Sequence, residues 1–535
     1  MLKFFYCSKF LIVALLALSV VSQGRAYAAS VTLKTPSGEI RGALNEGVSV
    51  YKGIPYAMPP VGELKFAPPQ DMAPWEGERD CTEFAPQAIQ YMPLAGQPMS
   101  ENCLALNVWT PVLPGDDAKL PVYVFIHGGG FAEGTSSMPM YDGTGFAKKG
   151  IVTVTINYRL NTLGFFASQE TLKRYGTTGN WGILDQIKAL EWVKKNISAF
   201  GGDPDSVTIG GESAGSFSVS ILMTSPLAKG LFRGAILESG TILSLPFLSA
   251  YARSDLEKSI TVSGMLAGIF GAGDDETGLE RMRRANSVAM ANLSAFTLDQ
   301  TVPSAFLLIP VFDGRVIPKN PVSELSSGNF NCVNTLIGFN NDEGSLFVPT
   351  GTDEGQYMAI AAKILGYEKS LVALERFKVE DRDAQKNATQ RARQITAYGV
   401  FSAGAKRYAD LVTKAGGDVY MYKFKTVTPD DLKNGLGARH AAELPFVFDT
   451  LGTFGTSGLR GTEYDKIAEE MHTRWANFIK NGDPNVGESA PSGVKWPKYD
   501  PANADVIYFD RKITSGALED RENIDFMISL IYDSK

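Results

Sequence analysis

Histidine is scarce in this sequence: the 535 residues include three, His127, His440 and His472. Cysteine is nearly as rare, with four residues, and no pair of cysteines has the spacing of metal ligands. These shortages argue against a histidine- and cysteine-rich metal centre, and we expect neither a metal nor an organic cofactor. They also leave three candidates for any chemistry that needs a histidine base.

Basic residues are not in excess over acidic residues. Lys and Arg number 51 against 58 Asp and Glu, and the formal net charge is −7. We find no basic arm or stripe, so the sequence lacks the electrostatic footprint of a nucleic-acid-binding protein. Beyond the first residues, no segment is long and apolar enough to span a membrane. We therefore expect no nucleic-acid partner and no membrane span after the first residues are removed, and the sequence indicates no oligomeric state.

The first 28 residues have the pattern of an export signal. Lys3 and Lys9 precede an apolar run at 11–21, and Ala26-Tyr27-Ala28 fits the small-x-small cleavage rule. The pattern predicts cleavage near Ala28 and a protein that is secreted or periplasmic. We expect the mature chain, 29–535, to form one domain, since large α/β proteins often do. An uncleaved membrane anchor is the alternative. Cleavage would remove three basic residues and no acid, which makes the net charge −10.

Apolar runs without polar alternation indicate a sheet that is covered on both faces. Such runs predict strands at 122–126, 151–157, 207–210 and 235–238. Helical spacing of apolar residues predicts a helix at 183–200. This alternation is typical of an α/β protein with a large, mostly parallel sheet flanked by helices. Short runs at 31–50 predict a small N-terminal antiparallel sheet, and the stretch 250–420 predicts a helical cap or side region.

A G-x-S-x-G pattern lies between a predicted strand and a predicted helix. It consists of Gly211, Ser213 and Gly215 with Glu212 and Ala214 between them. Glycines at these two positions permit a sharp strand-to-helix turn, where a side chain would collide with neighbouring backbone. Such a turn presents the serine hydroxyl above the sheet. The alternative is a turn serine in a chain that is rich in glycine.

A glycine triplet follows another predicted strand, in "IHGGGF" at 126–131. Successive glycines allow backbone N–H groups to approach a ligand closely. Together with the N–H of Ala214, these groups could bind the negative oxygen of a tetrahedral intermediate. Alone, the triplet favours a flexible turn, but beside a strand-bounded G-x-S-x-G pattern it favours catalysis.

A base and an acid complete the candidate site. His127 belongs to the glycine loop, and we expect it to shape the turn rather than to take a proton. His472 lies in an amphipathic helix, and we expect it to be a surface or packing residue. Elimination, and its place downstream of Ser213, therefore favour His440 as the base. A strand-end loop in "LIGFNNDEGSLF" lies between serine and histidine, where an acid is expected. Spacing alone leaves Asp342 and Glu343 open.

At this point the chain resembles the type-B carboxylesterases and cholinesterases, which have the α/β-hydrolase fold. The resemblance covers nearly the whole chain after residue 28 and rests on motifs in the family order. They are "YKGIPYAMPPVGELKFAPP", "SENCLALNVWTP", "HGGGF", "GNWGILDQIKALEWVKKNISAFGGDPDSVTIGGESAG", "FRGAILESG", "GFNNDEG" and "HAAELPFVF".

The resemblance implies a role for each site residue. It makes Ser213 the nucleophile, Glu343 the acid and His440 the base. The remaining implied residues are the oxyanion-hole donors Gly129, Gly130 and Ala214, a supporting polar network of Glu212, Ser239 and Glu443, and a Cys81–Cys103 disulfide. No tryptophan lies between the two cysteines, where cholinesterases use one to hold a cationic head group. The sequence therefore does not predict a choline ester as substrate.

The predicted function is that of a serine carboxylesterase, which hydrolyses small carboxylic esters through an acyl-Ser213 intermediate. A catalytically silent binding or adhesion scaffold with the same fold is the first alternative. A lipase, a thioesterase or an amidase with the same triad is the second, because a fold does not choose among these substrates.

Overall fold

The computed structural model describes residues 29–94, 96–247, 254–294, 308–377 and 384–533. The predicted export signal lies outside these ranges. In the described part of the chain, no helix is both long and apolar enough to cross a bilayer.

One mixed sheet organises the described residues. Its strands are β1 Ala29–Thr35, β2 Gly38–Asn45, β3 Val48–Pro55, β4 Glu78–Asp80, β5 Ala105–Thr110, β6 Leu120–Ile126, β7 Val152–Ile156, β8 Gly202–Glu212, β9 Gly234–Glu238, β10 Asn334–Asn340, β11 Val419–Phe424, β12 Asp505–Phe509 and β13 Thr514–Ala517. The strand order is β1-β2-β3-β5-β7-β6-β8-β9-β10-β11-β12-β13, and β4 pairs with β2. The run from β7 to β12 is parallel. The four strands predicted from apolar runs correspond to β6, β7, β8 and β9.

Helices connect the parallel strands. They are α1 Thr144–Lys148, α2 Asn161–Phe165, α3 Gln169–Tyr175, α4 Trp181–Asn196, α5 Ala214–Thr224, α6 Leu256–Ile269, α7 Glu276–Arg284, α8 Ser287–Leu293, α9 Pro321–Ser327, α10 Glu354–Leu365, α11 Tyr367–Arg376, α12 Ala384–Thr396, α13 Ala403–Lys414, α14 Pro429–Lys433, α15 Leu444–Val447, α16 Tyr464–Asn481 and α17 Arg521–Ile528. The helix predicted at 183–200 is α4, which continues as a 3₁₀ turn to Phe200. The predicted helical region contains α6 to α13 and also one strand, β10.

The predicted N-terminal antiparallel sheet is present, but it is not separate. Strands β1, β2 and β3 pair antiparallel, and β3 pairs with β5, so they form one edge of the large sheet. Short hairpin turns connect β1 to β2 and β2 to β3, which allows antiparallel pairing, whereas β3 and β5 are joined by the longer segment 56–104. The sheet becomes parallel where helical crossovers connect its strands.

Two hydrophobic clusters cover the two faces of the sheet. Along β6, Val122 and Val124 belong to one cluster, whereas Tyr123 and Phe125 belong to the other. Residues of α4, α5 and α13 complete the first cluster, and residues of α1, α15 and α16 complete the second. Because both faces of the sheet are covered, successive residues of the central strands are buried, and these strands are unbroken apolar runs in the sequence. It also leaves the carboxyl ends of the parallel strands as the edge where functional side chains can gather.

Candidate active site

Ser213 occupies the turn between β8 and α5. Its φ of 56° and ψ of −123° lie in a region that non-glycine residues rarely adopt. Its N–H donates to the carbonyl of Glu238 at 2.9 Å, and its own carbonyl accepts from the N–H of Phe217 at 2.9 Å. The turn is therefore held from both sides, which fixes the direction of a strained and partly exposed serine.

The two glycines of the motif are required by close backbone contacts. A Cβ on Gly211 would lie 2.5 Å from the carbonyl carbon of Gly215. A Cβ on Gly215 would lie 2.0 Å from the carbonyl oxygen of Ile126, at the end of β6. The predicted strand-to-helix turn is thus present. A side chain at either glycine would collide with neighbouring backbone, as expected from the sequence.

The glycine loop follows β6, the neighbour of β8 in the sheet, with Ile126 in register with Gly211. Gly129 and Gly130 have φ values of 107° and 62°. Neither of their N–H groups donates a hydrogen bond to a described residue. Ala214 is the first residue of α5, so its N–H has no partner within the helix. The three N–H groups predicted as an oxyanion hole therefore follow adjacent strand ends, and none of them donates a hydrogen bond to another described residue.

His440 is fixed by Glu343. Nδ1 of His440 lies 2.5 Å from Oε2 of Glu343, and both side chains are almost completely buried. Oε1 of Glu343 accepts from Ser239 Oγ at 2.6 Å and from the Asn340 N–H at 2.7 Å. A carboxylate oxygen accepts hydrogen bonds, so in a neutral ring Nδ1 is the donor and carries the proton. This tautomer leaves Nε2 with a free lone pair.

Nε2 of His440 lies 3.0 Å from Oε1 of Glu212. Neither atom completes a hydrogen bond with a described residue. The Ser213 hydroxyl likewise makes none within the described residues. In ligand-free enzymes the catalytic hydrogen bonds are often long or poorly aligned, so this arrangement is compatible with a serine–histidine pair.

The structure distinguishes Asp342 from Glu343 by their contacts with His440. Asp342 points away from His440: its Oδ2 accepts from the N–H of Ala438 at 2.9 Å, and its own N–H donates to the Ala438 carbonyl at 2.9 Å. Asp342 thus anchors the loop that carries His440, whereas Glu343 contacts the imidazole.

A group of buried carboxyls lies around the histidine. Burial, followed by the Glu343 carboxylate, raises the pKa of Glu212 well above its usual range. Burial, then Glu212 and Glu343, raises the pKa of Glu443 to about 8. Oε2 of Glu443 accepts from Asn340 Nδ2 at 2.5 Å. The predicted supporting residues Glu212, Ser239 and Glu443 are therefore close to the histidine or to its partner Glu343.

Several neighbours of the site were missed by sequence reasoning. Glu238 is completely buried, accepts a hydrogen bond from Trp475 Nε1 at 3.0 Å, and has its pKa raised well above its usual range by burial, Glu443 and Glu212. Asn340 links Glu343 and Glu443. Glu238 lies in the motif "FRGAILESG" and Asn340 in "GFNNDEG". Their place in these motifs could have marked both residues as neighbours of the site.

Two phenylalanines pack against the imidazole of His440. The ring centroids of Phe347 and Phe401 lie 5.0 Å and 4.7 Å from that of His440, and the two phenylalanines stack on each other at 5.6 Å. Phe401 belongs to a π-helix, Ala397–Ser402, between α12 and α13. Such helices are rare and recur at functional sites. No sequence signal marked this segment.

The other two histidines are structural, as predicted. His127 Nδ1 contacts the carbonyl of Gly128 at 2.8 Å, its ring stacks on Tyr158, and burial lowers its pKa to about 4. His472 lies on α16, contacts the carbonyl of Val447 at 2.8 Å, and is buried rather than at the surface. Burial lowers its pKa too. Both are uncharged packing residues at neutral pH.

The disulfide that the resemblance implies is not present in the structure. Cys81 and Cys103 are both buried free thiols, and burial raises the pKa of each to about 12. Cys81 is held by backbone hydrogen bonds to Arg41 and Lys52, on β2 and β3, whereas Cys103 bonds to Ala105 on β5. Each thiol is therefore positioned by a different part of the sheet.

Among the described residues, no group of three or more His, Cys, Asp or Glu could hold a metal ion.

A strained serine at a strand-to-helix turn, beside a glycine loop and a carboxyl-bound histidine at the carboxyl edge of a parallel sheet, defines an α/β-hydrolase. The model of the family described as "Carboxylesterase family" matches residues 29–526. The chain belongs to this family, and it is a carboxylic ester hydrolase.

Individual relatives agree with this assignment. Human cocaine esterase is 35% identical over 526 residues, which cover 91% of this chain and 89% of the relative. Mouse acylcarnitine hydrolase is 36% identical over 510 residues, with 87% and 85% coverage. The crystal structure of a Geobacillus stearothermophilus carboxylesterase superposes with a TM-score of 0.77 at 37% identity, covering 92% of this chain and 98% of that one.

Proposed function

We propose that Ser213 is the nucleophile of this ester hydrolase, with His440 as general base and Glu343 as the carboxylate that orients it. The observation that carries the proposal is the 2.5 Å contact between His440 Nδ1 and Glu343, which in a neutral ring places the proton on Nδ1 and leaves the lone pair of Nε2 free. An unprotonated Nε2 is what a base for the serine hydroxyl requires. The strained backbone of Ser213 is the second support.

In the first half of the proposed reaction, Ser213 Oγ attacks the ester carbonyl carbon while Nε2 of His440 takes its proton. The carbonyl oxygen becomes negative and accepts hydrogen bonds from the N–H groups of Gly129, Gly130 and Ala214. Donors fixed before the reaction stabilise this charge without reorganisation, and each one contributes roughly 10²–10³ in rate. The C–O bond then breaks, and the imidazolium gives its proton to the leaving alcohol.

In the second half, water attacks the acyl-Ser213 ester and gives its proton to His440. The tetrahedral intermediate collapses, the carboxylic acid leaves, and His440 returns the proton to Ser213 Oγ. Every proton taken by His440 is released, so no co-reactant besides water is needed. Glu343 remains hydrogen-bonded to Nδ1 of His440 and stabilises the imidazolium in both halves.

We further propose that the protein is exported and acts outside the cytoplasm. The support is the signal-like pattern of residues 1–28, with two lysines, an apolar run and a small-x-small site. N-terminal sequencing of the protein from its native host should begin near residue 29. A native N-terminus at Met1 would contradict export by cleavage.

The test of the nucleophile is intact mass after treatment with a fluorophosphonate. Wild-type protein should gain one adduct, Ser213→Ala should gain none, and the exposed serine variant Ser198→Ala should behave as wild type. Hydrolysis of a short-chain ester should disappear in Ser213→Ala alone. Folded wild-type protein without an adduct would favour a binding scaffold and overturn the proposal.

A further inference from the structure

The end of β9 connects the proposed nucleophile to the proposed acid. The carbonyl of Glu238, the last residue of β9, accepts from the N–H of Ser213 at 2.9 Å. The next residue, Ser239, donates from its Oγ to Oε1 of Glu343 at 2.6 Å. Two successive residues therefore bond to two members of the proposed triad, and a shift of either would change the geometry of the site.

The turn that follows β9 is strained. Ser239 has a φ of 58°, in the left-handed region that residues with a side chain rarely adopt. Such a conformation persists only where the surrounding structure holds it. On the main chain, the Ser239 N–H donates to the carbonyl of Gly338 at 2.9 Å, and the carbonyl of Gly240 accepts from Ser216 Oγ at 2.6 Å. These two bonds fix the turn on the side of Gly240.

The side chain of Glu238 anchors the turn on its other side. Its Oε1 accepts from Nε1 of Trp475, on α16, at 3.0 Å. The indole of Trp475 packs against three aromatic rings at centroid distances of 5.2, 5.6 and 5.7 Å, those of Tyr422, Trp496 and Phe509. A donor that is held by three rings cannot follow Glu238 if the strand end moves.

The surroundings make this hydrogen bond costly to break. Glu238 and Trp475 are both completely buried. Burial, followed by Glu443 and Glu212, raises the pKa of Glu238 well above its usual range, which favours the uncharged acid. A buried indole N–H that loses its acceptor is left without a partner, and this is less favourable than the loss of a hydrogen bond at the surface. One orientation of the Glu238 side chain is therefore strongly preferred.

We infer that Trp475 and Glu238 are positioning residues of the ester hydrolysis. The hydrogen bond between them holds the Glu238 carbonyl against the N–H of Ser213, and it holds the start of the turn that brings Ser239 to Glu343. The inference rests on the proposed function, since it takes Ser213 as the nucleophile and Glu343 as the acid. Loss of the bond should lower kcat and leave KM nearly unchanged, because it changes the geometry of attack rather than the binding surface.

Two buried tryptophans allow a matched comparison. Trp496 is as buried as Trp475 and donates from Nε1 to the carbonyl of Met421 at 2.9 Å. Trp475→Phe and Trp496→Phe each remove one indole N–H and the same volume from one hydrophobic cluster, and each keeps an aromatic ring. We expect kcat for a neutral short-chain ester to fall about tenfold in Trp475→Phe and less than about twofold in Trp496→Phe, with KM near the wild-type value in both.

Substitutions of Glu238 test the other end of the bond. Glu238→Gln keeps an oxygen for Trp475 and is uncharged like the protonated acid, whereas Glu238→Met has a similar size and no such acceptor. The Gln variant should keep kcat within about twofold of wild type, and the Met variant should lose about tenfold. If the two residues act through one bond, the double variant Glu238→Met/Trp475→Phe should lose no more than the larger single loss. Losses that multiply would overturn the inference.

Labelling of Ser213 by a fluorophosphonate separates failure of this inference from failure of the proposed function. Wild-type protein without an adduct at Ser213 would overturn both. With wild type labelled, equal kcat values in Trp475→Phe and Trp496→Phe, or a loss that appears in KM alone, would overturn the inference and leave the proposed function standing. Should Trp475→Phe not fold, as judged by circular dichroism, the Gln and Met variants of Glu238 decide, and equal kcat values in these two would refute the inference.

Discussion

The imidazole of His440 and the carboxyl of Glu212 face each other, with Nε2 and Oε1 3.0 Å apart. Burial and Glu343 raise the pKa of Glu212, so this carboxyl becomes an anion only as the pH rises through its raised pKa. An anion at this distance stabilises the imidazolium that forms during catalysis. The contribution of Glu212 is therefore present above its raised pKa and is lost as the pH falls through it.

Glu212→Gln should consequently lower kcat/KM by a factor that depends on pH. We expect about a tenfold loss at the alkaline end of the profile and convergence with wild type at the acidic end, where both side chains are neutral. The measurement is the pH profile of kcat/KM for a neutral ester. A loss of constant size across the profile would mean that Glu212 acts by packing rather than by charge.

Glu343 and Asp342 form a natural pair of variants, because they are adjacent acids with different contacts. Glu343→Gln removes the carboxylate from Nδ1 of His440 and can favour the wrong tautomer. Its kcat should fall on the order of 10³–10⁴-fold. Asp342→Asn keeps an oxygen for the Ala438 N–H and should cost less than about tenfold. The reverse order of effects, measured on one ester, would assign the acid to Asp342.

Phe401 should act on the orientation of His440 rather than on substrate affinity. Phe401→Leu removes a ring 4.7 Å from the imidazole, which gives the ring more freedom to turn. We expect kcat to fall about tenfold while KM changes little. Phe377→Leu is the control, since Phe377 stacks on Tyr398 of the same π-helix without contacting His440. Both variants should lose about 1 kcal/mol of stability, but a similar fall of kcat in both would exclude a positioning role.

The parts of the site that local patterns encode could be predicted from the sequence. The turn at Ser213 and the loop at Gly129 depend on glycines whose neighbours are a few residues away or on the adjacent strand. Asp342 and Glu343 could not be separated by spacing, because both stand in one strand-end loop and only the direction of each side chain distinguishes them.

Long-range contacts account for what the sequence did not predict. Phe401 contacts His440 from a π-helix, Ala397–Ser402, which is too short for apolar periodicity to distinguish it from an ordinary helix. Glu238 looked like part of a short apolar strand, although Trp475, 237 residues later, is its partner. Contacts across such separations are set by the packing of the whole sheet rather than by the residues around them.

Gly215 should tolerate no side chain. In Gly215→Ala, the new Cβ would lie 2.0 Å from the carbonyl oxygen of Ile126, and backbone atoms cannot move aside cheaply. We expect a loss of about 3 kcal/mol or more in the free energy of unfolding, measured by denaturant titration. Gly264→Ala is the matched helical control: no atom lies within 4 Å of its Cβ position, so it should gain about 0.5–1 kcal/mol.

The buried acid Glu443 should make the protein less stable as the pH rises. Its pKa is about 8 in the folded protein against 4.5 as the ordinary value, so between these limits the folded state binds the proton that the unfolded state has released. The free energy of unfolding therefore falls with pH, by up to about 1.4 kcal/mol per pH unit from this group. Glu443→Gln keeps an oxygen for Asn340 but does not titrate. Denaturant titrations from pH 5 to 8 should show a flatter dependence for the variant, and parallel curves would show that Glu443 is ionised throughout.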